Sequence, residues 1–157
     1  MNKILIIVGL FVAVILLVFP FIIYYGNDIM VATSDSMVPI LNPNDLLIVQ
    51  RTGIDKIIVG DIIVFDSHVE GIGIVAHRAV EIFDENGRIA INTQGDNIDE
   101  VDTWVVHDED LIGKVVEHIS FMGILLIEPV RYTLVIVIII TAVSLFKEIS
   151  AESKIKK

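Results

Sequence analysis

The fold of the middle of this chain is decided by the stretch IVAHRAVEIFDENGRIAINT, residues 74–93. Its two ends, residues 74–83 and 88–93, are short and rich in Ile and Val, which is typical of β-strands. Between them lies Asn86-Gly87, a dipeptide that favours the tight turn of a β-hairpin because both residues tolerate a positive φ. The stretch therefore predicts two antiparallel strands joined by a tight turn.

Three further segments around this hairpin have the same strand-like composition: LLIVQ (46–50), DIIVF (61–65) and KVVEHIS (114–120). Gly, Pro, Asn and Asp residues, which favour turns, separate these segments. No window in this part of the sequence shows the periodicity of an amphipathic helix. Residues 28–128 are therefore predicted to form one irregular, β-rich domain.

Long apolar runs lie at both ends of the chain. Residues 4–27 carry no charge, and a helix of this length, at ~1.5 Å per residue, covers the ~30 Å hydrocarbon layer of a bilayer. The run is too long for the core of a cleavable signal peptide and no A-x-A pattern follows it, so residues 1–27 are interpreted as a transmembrane anchor. Residues 129–147 are interpreted as a second transmembrane helix, although a buried or re-entrant helix also fits so short an apolar run.

The distribution of charge predicts an orientation for such a chain. The net charge is −10, from 11 basic and 21 acidic residues, yet the parts outside residues 28–131 sum to +3. Because short basic flanks stay in the cytoplasm, both termini, including the basic tail at 148–157, are expected to be cytoplasmic. We therefore expect a membrane-anchored, mainly β protein of the cell membrane, multi-pass, with its β-rich domain on the extracytoplasmic side between two transmembrane helices.

The composition also excludes several classes of function. An acidic chain does not bind nucleic acid, because that affinity depends on Lys and Arg contacts with phosphates. Cysteine is absent, which excludes disulfides, thiol catalysis and Cys-ligated zinc. A hydrolytic nucleophile would then be Ser or Thr, with His, Lys or an N-terminal amine as the base.

Two residues are candidates for such chemistry. Ser36 lies in the polar loop SDSMVP, residues 34–39, directly after the first apolar run, although such a loop is also typical of a plain turn or helix cap. His77 lies within the apolar strand 74–83, which would fix its ring, although a lone His in a strand is more often structural. The other candidate bases are His68, His107 and His118.

The segment GDNIDEVD, residues 95–102, supplies acidic partners in a polar turn. A solvated acidic loop or a weak cation site also fits this composition. The spacing does not match an EF-hand calcium loop with its closing Glu, and no H-E-x-x-H pattern is present. We therefore expect no metal site and no other cofactor.

Four segments, taken together and in order, resemble the type I signal peptidase family. They are SDSMVP (34–39), GDIIVF (60–65), VAHR (75–78) and QGDN (94–97), the last followed by Asp102. The bacterial branch of this family has Lys at the position of the base, whereas this chain has His. The sequence is therefore similar to the archaeal and endoplasmic-reticulum-type branch, which uses a Ser–His pair.

This resemblance implies a role for each matched residue. Ser36 would be the nucleophile, His77 the general base, and Asp102 the carboxylate that orients the imidazole, while Asp96 would support the loop or share that role. The Ser36 backbone N–H and the Ser34 hydroxyl would stabilise the oxyanion. The implied reaction is hydrolysis of secretory preproteins after a small-x-small pattern, at the surface of the lipid bilayer. Met37 and the strand 46–49 are expected to contribute to shallow apolar pockets for small side chains.

Several alternatives stay open at this stage. A membrane-anchored β module could bind exported proteins without hydrolysing them, and a related peptidase could process a specialised precursor. A metal-dependent hydrolase is a third alternative. Association with the protein-export channel and the choice between Asp96 and Asp102 are likewise open.

Overall fold

The chain divides into two compact units. In the computed structural model, residues 3–23 and 28–155 are described. Met1–Tyr25 and Leu125–Lys157 form one unit, and Gly26–Ile124 forms the other. The strands and every predicted site residue belong to the second unit.

The described residues of the second unit form a seven-stranded sheet in which all neighbouring strands are antiparallel. The strands are β1 (Asp28–Val31), β2 (Leu46–Gln50), β3 (Ile62–Asp66), β4 (Ile74–Glu85), β5 (Arg88–Gln94), β6 (Val105–Val106) and β7 (Leu111–Ile119). Their order across the sheet is β1-β2-β7-β3-β4-β5-β6. Short 3₁₀ turns cover Ile54–Lys56 and Met122–Leu125.

The hairpin predicted from residues 74–93 is present. Strands β4 and β5 pair up to Glu85 and Arg88, and the turn between them is formed by Asn86 and Gly87, with φ angles of 56° and 84°. Positive φ at both turn residues matches the right-handed twist of the paired strands. The prediction of a β-rich domain is therefore confirmed.

Strand β3 explains how the core is divided. Its side chains alternate between two faces, so Ile63 and Phe65 lie in one apolar cluster and Val64 lies in another. Both faces of this central strand are buried, which accounts for its unbroken apolar sequence. The remaining buried members of the first cluster are Ile54, Ile57, Ala79, Ile91 and Val106, and those of the second are Met37, Leu41, Leu47 and Val49.

The first unit contains two helices, α1 (Lys3–Ile23) and α2 (Glu128–Ile155), which contact each other. The sequence predicted membrane spans at 1–27 and 129–147. Within residues 3–23 and 28–155, no helix combines the length and the apolar character needed to cross a membrane. The two-span prediction is therefore not supported, and its residues 1, 2 and 24–27 lie outside the described ranges.

Candidate active site

Ser36 lies on the loop between β1 and β2, which turns tightly at this point. The Val38 amide donates to the Asp35 carbonyl at 3.1 Å, and the Leu41 amide donates to the Met37 carbonyl at 2.9 Å. Met37 and Leu41 are buried in the second apolar cluster, whereas Ser36 is only half-buried. The apolar side chains therefore anchor the loop and leave the hydroxyl of Ser36 accessible.

His77 lies in β4, between two neighbouring strands. Its Cα pairs with that of Ile63 on β3, and the residue is 4% exposed. A side chain enclosed in this way has few conformations open to it. The sheet therefore fixes the position of the imidazole, as the sequence predicted for this strand.

The structure brings Ser36, His77 and Asp102 into one chain of contacts. The Nε2 atom of His77 lies 3.0 Å from Ser36 Oγ, and the Nδ1 atom lies 2.6 Å from Asp102 Oδ2. An ionised carboxylate can only accept, so Nδ1 carries the proton in this arrangement. In the neutral ring, Nε2 is then the acceptor that faces the Ser36 hydroxyl. This geometry can transfer the hydroxyl proton to the imidazole.

Asp102 is itself held from the neighbouring strand β5. Its carboxylate accepts a hydrogen bond from Thr93 Oγ1 at 2.7 Å, and its amide donates to the Thr93 carbonyl at 2.8 Å. The indole N–H of Trp104 donates to Thr93 Oγ1 at 3.2 Å. Reasoning from the sequence missed Thr93 and Trp104, because nothing in their local sequence distinguishes them from ordinary strand and core residues.

Asp96 takes a different position from Asp102. Its two carboxylate oxygens accept hydrogen bonds from Nε and Nη2 of Arg78 at 2.7 and 2.6 Å. Arg78 also donates to the Gly60 carbonyl at 2.6 Å. The hydrogen bonds to Asp96 raise the pKa of Arg78 above its ordinary value, which keeps the guanidinium charged. Asp96 therefore pairs with Arg78, and no hydrogen bond joins its carboxylate to His77 among the described residues.

The loop at 95–97 is packed directly on the main chain of Ser36. The Asn97 amide donates to the Ser36 carbonyl at 2.8 Å, and the Asn97 side-chain amide donates to the Asp35 carbonyl at 3.2 Å. A Cβ atom at Gly95 would lie 2.7 Å from the Ser36 carbonyl oxygen and 3.1 Å from His77 Nε2. Glycine is therefore required where the loop, the serine and the histidine meet.

Two groups near Ser36 could donate to an oxyanion. The hydroxyl of Ser34 lies 3.1 Å from Ser36 Oγ and is exposed. The Ser36 amide has no acceptor within residues 3–23 and 28–155. Both predicted donors thus lie beside the hydroxyl that would attack.

A cleft of about 350 Å³ opens beside Ser36 and His77. Of the residues predicted to form apolar pockets, Met37 and Leu47 line this cleft. Its other lining residues are Met30, Val31, Ala32, Thr33, Ser34, Leu41, Val64, Ile72, Ile74, Val75, Ala76, Ile98 and Trp104. Because most of these side chains are apolar, the cleft suits an uncharged peptide segment.

Among the described residues, no hydrogen bond joins His68, His107 or His118 to Ser36. His68 Nε2 lies 2.9 Å from Asp110, and His107 Nε2 lies 2.8 Å from Glu85. The hydrogen bond to Glu85 is the main reason that the pKa of His107 is raised above its ordinary value. His118 lies exposed on β7. In the part of the chain that the structure describes, no group of three or more His, Asp or Glu side chains is arranged to hold a metal.

Two known proteins are similar in sequence to this chain, although family models are not. No family model matches the chain. It is 34% identical over 105 residues to the signal peptidase complex catalytic subunit sec11 of Sclerotinia sclerotiorum, a match that covers 62% of this chain. The same identity and coverage relate it to the signal peptidase complex catalytic subunit SEC11 of Pyricularia oryzae. The chain spans 60% of the length of each relative, and its resemblance to signal peptidases is confirmed.

Proposed function

We propose that this chain, by its similarity to signal peptidase catalytic subunits, is a signal peptidase of the serine endopeptidase class. Its reaction would be removal of N-terminal signal peptides from secretory preproteins. The observation that carries the proposal is the continuous contact from Ser36 Oγ through both nitrogens of His77 to Asp102, beside an apolar cleft. Ser36 and His77 lie in two of the four sequence segments on which the resemblance rests, and Asp102 follows a third.

The first step is attack by Ser36 on the carbonyl carbon of the scissile peptide bond. As the Oγ–C bond forms, His77 Nε2 takes the hydroxyl proton and the ring becomes an imidazolium. Asp102, 2.6 Å from Nδ1, stabilises that positive charge and keeps Nε2 directed at Ser36. The carbonyl π electrons move to oxygen, which produces a tetrahedral oxyanion.

The oxyanion would receive hydrogen bonds from the Ser36 amide and the Ser34 hydroxyl. One such donor, placed in advance, is typically worth about 3–4 kcal/mol of transition-state stabilisation. When the intermediate collapses, the C–N bond breaks and His77 returns its proton to the leaving amine. Water, deprotonated by His77 in the same way, then attacks the ester carbon. As the bond from that carbon to Ser36 Oγ breaks, His77 returns the proton to Oγ and the signal peptide leaves.

The apolar cleft supports a substrate with small, uncharged side chains next to the scissile bond. Its walls near His77 include Val75 and Ala76 of β4, and Met37 follows the proposed nucleophile directly. No charged side chain lines the cleft within the described residues. We therefore propose cleavage after the small-x-small pattern that the family resemblance implies.

Attachment to a membrane, the extracytoplasmic placement of the β-rich domain and association with the protein-export channel stay predictions. What supports the first two is the uncharged run at 4–27, the apolar run at 132–146 and the basic flanks. Carbonate extraction of membranes from cells that produce the full chain tests attachment. A chain released quantitatively into the supernatant would contradict it.

The proposed function is tested with the purified full chain and one secretory preprotein. N-terminal sequencing of the product is expected to show a single cut after a small-x-small pattern. Ser36→Ala should abolish the product, whereas the matched variant Ser120→Ala, at an exposed position remote in sequence, should keep parental turnover. Binding of the preprotein without any product from the parental chain would instead support the non-catalytic alternative.

A further inference from the structure

We propose that Thr93 and Trp104 are positioning residues that hold Asp102 in place behind His77. The hydrogen bonds run from the Trp104 indole to the Thr93 hydroxyl and from that hydroxyl to the Asp102 carboxylate. The inference rests on the proposed function, because it concerns how the carboxylate of the catalytic group is oriented.

The chemistry of the three groups fixes the direction of both hydrogen bonds. An indole N–H can only donate, and an ionised carboxylate can only accept. The Thr93 hydroxyl must therefore accept from Trp104 at 3.2 Å and donate its single proton to Asp102 at 2.7 Å. No other orientation of the hydroxyl satisfies both neighbours, so its rotor is fixed.

Thr93 and His77 donate to the same oxygen of Asp102. The Thr93 Oγ1 and His77 Nδ1 atoms lie 2.7 and 2.6 Å from Oδ2. A carboxylate held by one donor can rotate about its Cβ–Cγ bond, whereas a second donor on the same oxygen restrains that rotation. Thr93 thereby keeps Oδ2 opposite Nδ1, which in turn keeps Nε2 directed at Ser36.

The position of Thr93 in the sheet makes this restraint rigid. Thr93 is fully buried on β5, and its Cα pairs with that of Ala79, two residues beyond His77 on β4. Asp102, in contrast, follows the exposed residues 96–101 and is not part of a strand. A main-chain hydrogen bond from the Asp102 amide to the Thr93 carbonyl, at 2.8 Å, attaches the loop end to the sheet at the same residue.

Trp104 connects this network to the core. Its ring centroid lies 6.2 Å from that of Phe65, which is fully buried, and 6.3 Å from that of His77, with planes inclined by 30° to the imidazole. The indole therefore packs against both the apolar cluster and the imidazole. It restricts movement of the His77 ring. Its N–H also donates to the Thr93 hydroxyl oxygen, which directs the hydroxyl proton towards Asp102.

Three variants of the full chain separate this role from simple packing. Thr93→Val keeps the shape and removes the hydroxyl, Thr93→Ser restores the hydroxyl, and Trp104→Phe keeps a ring without the N–H. Because Thr93→Val removes one of the two side-chain donors to Asp102 Oδ2 and leaves only His77, we expect kcat to fall about ten- to hundred-fold with KM unchanged. Thr93→Ser should return kcat to within about three-fold of the parent, and Trp104→Phe should lower it by a smaller factor than Thr93→Val.

A spectroscopic readout reports the positioning directly. The proton on His77 Nδ1, in its short hydrogen bond to Asp102, should give a downfield NMR resonance in the parental protein. It should move upfield in Thr93→Val, because a rotating carboxylate lengthens the bond, and it should return in Thr93→Ser. A purely structural role for the threonine would leave this resonance unchanged in any folded variant.

The outcomes distinguish this inference from the proposed function. If Ser36→Ala is inactive while Thr93→Val keeps parental kcat and resonance, the positioning role is overturned and the function stands. If Ser36→Ala keeps full activity, the proposed function itself fails. If Thr93→Val does not fold, Trp104→Phe decides: lowered kcat with a shifted resonance supports the inference, and parental values for both overturn it.

Discussion

The Nε2 atom of His77 lies 3.0 Å from the Oγ atom of Ser36, although the two residues are 41 positions apart in the chain. His77 is on β4, whereas Ser36 is on the loop that leads into β2, and β7 and β3 separate these strands in the sheet. The loop at 95–97 bridges this distance, because it follows β5 and bonds to the Ser36 carbonyl. The contact therefore depends on three separate parts of the fold.

The first prediction concerns His77 as the general base. We expect His77→Gln to lower kcat for preprotein cleavage by about 10²–10⁴-fold, because Ser36 then lacks a proton acceptor. His118→Gln is the matched control, since His118 is exposed on β7 and lies outside the residues that line the cleft at Ser36. Cleavage rates measured by gel densitometry decide the matter, and equal rates for the two variants would exclude His77 from the reaction.

The second prediction separates the two candidate carboxylates. Asp102→Asn should lower kcat by roughly three orders of magnitude, because an amide in place of the carboxylate favours the wrong imidazole tautomer. Asp96→Asn should lower it by about ten-fold or less, because it weakens only the pairing with Arg78. Single-turnover rates of both variants test this order. A larger loss for Asp96→Asn would assign the orienting role to Asp96 and show that the assignment to Asp102 is wrong.

The third prediction concerns the contact at Gly95. Gly95→Ala places a Cβ 2.7 Å from the Ser36 carbonyl oxygen, so the loop or the nucleophile must shift. A displacement of this kind typically costs about a hundred-fold in rate. Gly9→Ala is the control, because nothing lies within 4 Å of the added atom there. Parental activity in Gly95→Ala would show that the loop can retreat without moving the serine.

The fourth prediction concerns the stability of the hairpin end at low pH. The Glu85 carboxylate raises the pKa of His107 above its ordinary value, so protonated His107 stabilises the folded state. That contribution is complete below about pH 6.5, the ordinary value for an unfolded chain, and is lost as the pH rises through the folded pKa. NMR titration of Glu85→Gln should show a lower pKa for His107 than in the parent. The same titration curve in both proteins would mean that the pair does not form in solution.

The strands were largely predictable because their signal is local. Runs of Ile and Val mark β2, β3, β4, β5 and β7, although β7 begins at Leu111, before the predicted segment. The sequence did not predict strands β1 and β6. Strand β1 has only four residues and directly follows the long apolar run, and β6 has only two residues.

The site residues could be predicted only because four short segments occur together and in order, since each segment alone also fits an ordinary turn or strand. Sequence similarity selected Ser36, His77 and Asp102, but it left Asp96 and Asp102 as rivals, since both lie in one polar loop. Their separation depends on Arg78, which pairs with Asp96 from the neighbouring strand. Thr93 was not identifiable, because its role comes from a contact across nine residues rather than from any local pattern.

The last prediction concerns Asp45, a fully buried carboxylate directly before β2 that takes no part in the proposed reaction. Its oxygens accept hydrogen bonds from the Asn42 amide at 2.9 Å and the Phe121 amide at 3.1 Å, so it links the loop before β2 to the segment after β7. Asp45→Ala leaves both amides without this acceptor and should lower the free energy of unfolding by about 2–4 kcal/mol. Asp99→Ala, at an exposed position, should change it by less than about 0.5 kcal/mol.

Urea denaturation followed by fluorescence measures this difference, because the sole tryptophan, Trp104, lies in the same unit as Asp45. Asp45→Asn is the informative intermediate: its amide can accept one of the two hydrogen bonds but presents N–H groups to the other donor. Its stability should therefore fall between those of the parent and Asp45→Ala. If all three proteins unfold at the same urea concentration, the buried carboxylate does not hold the two segments together.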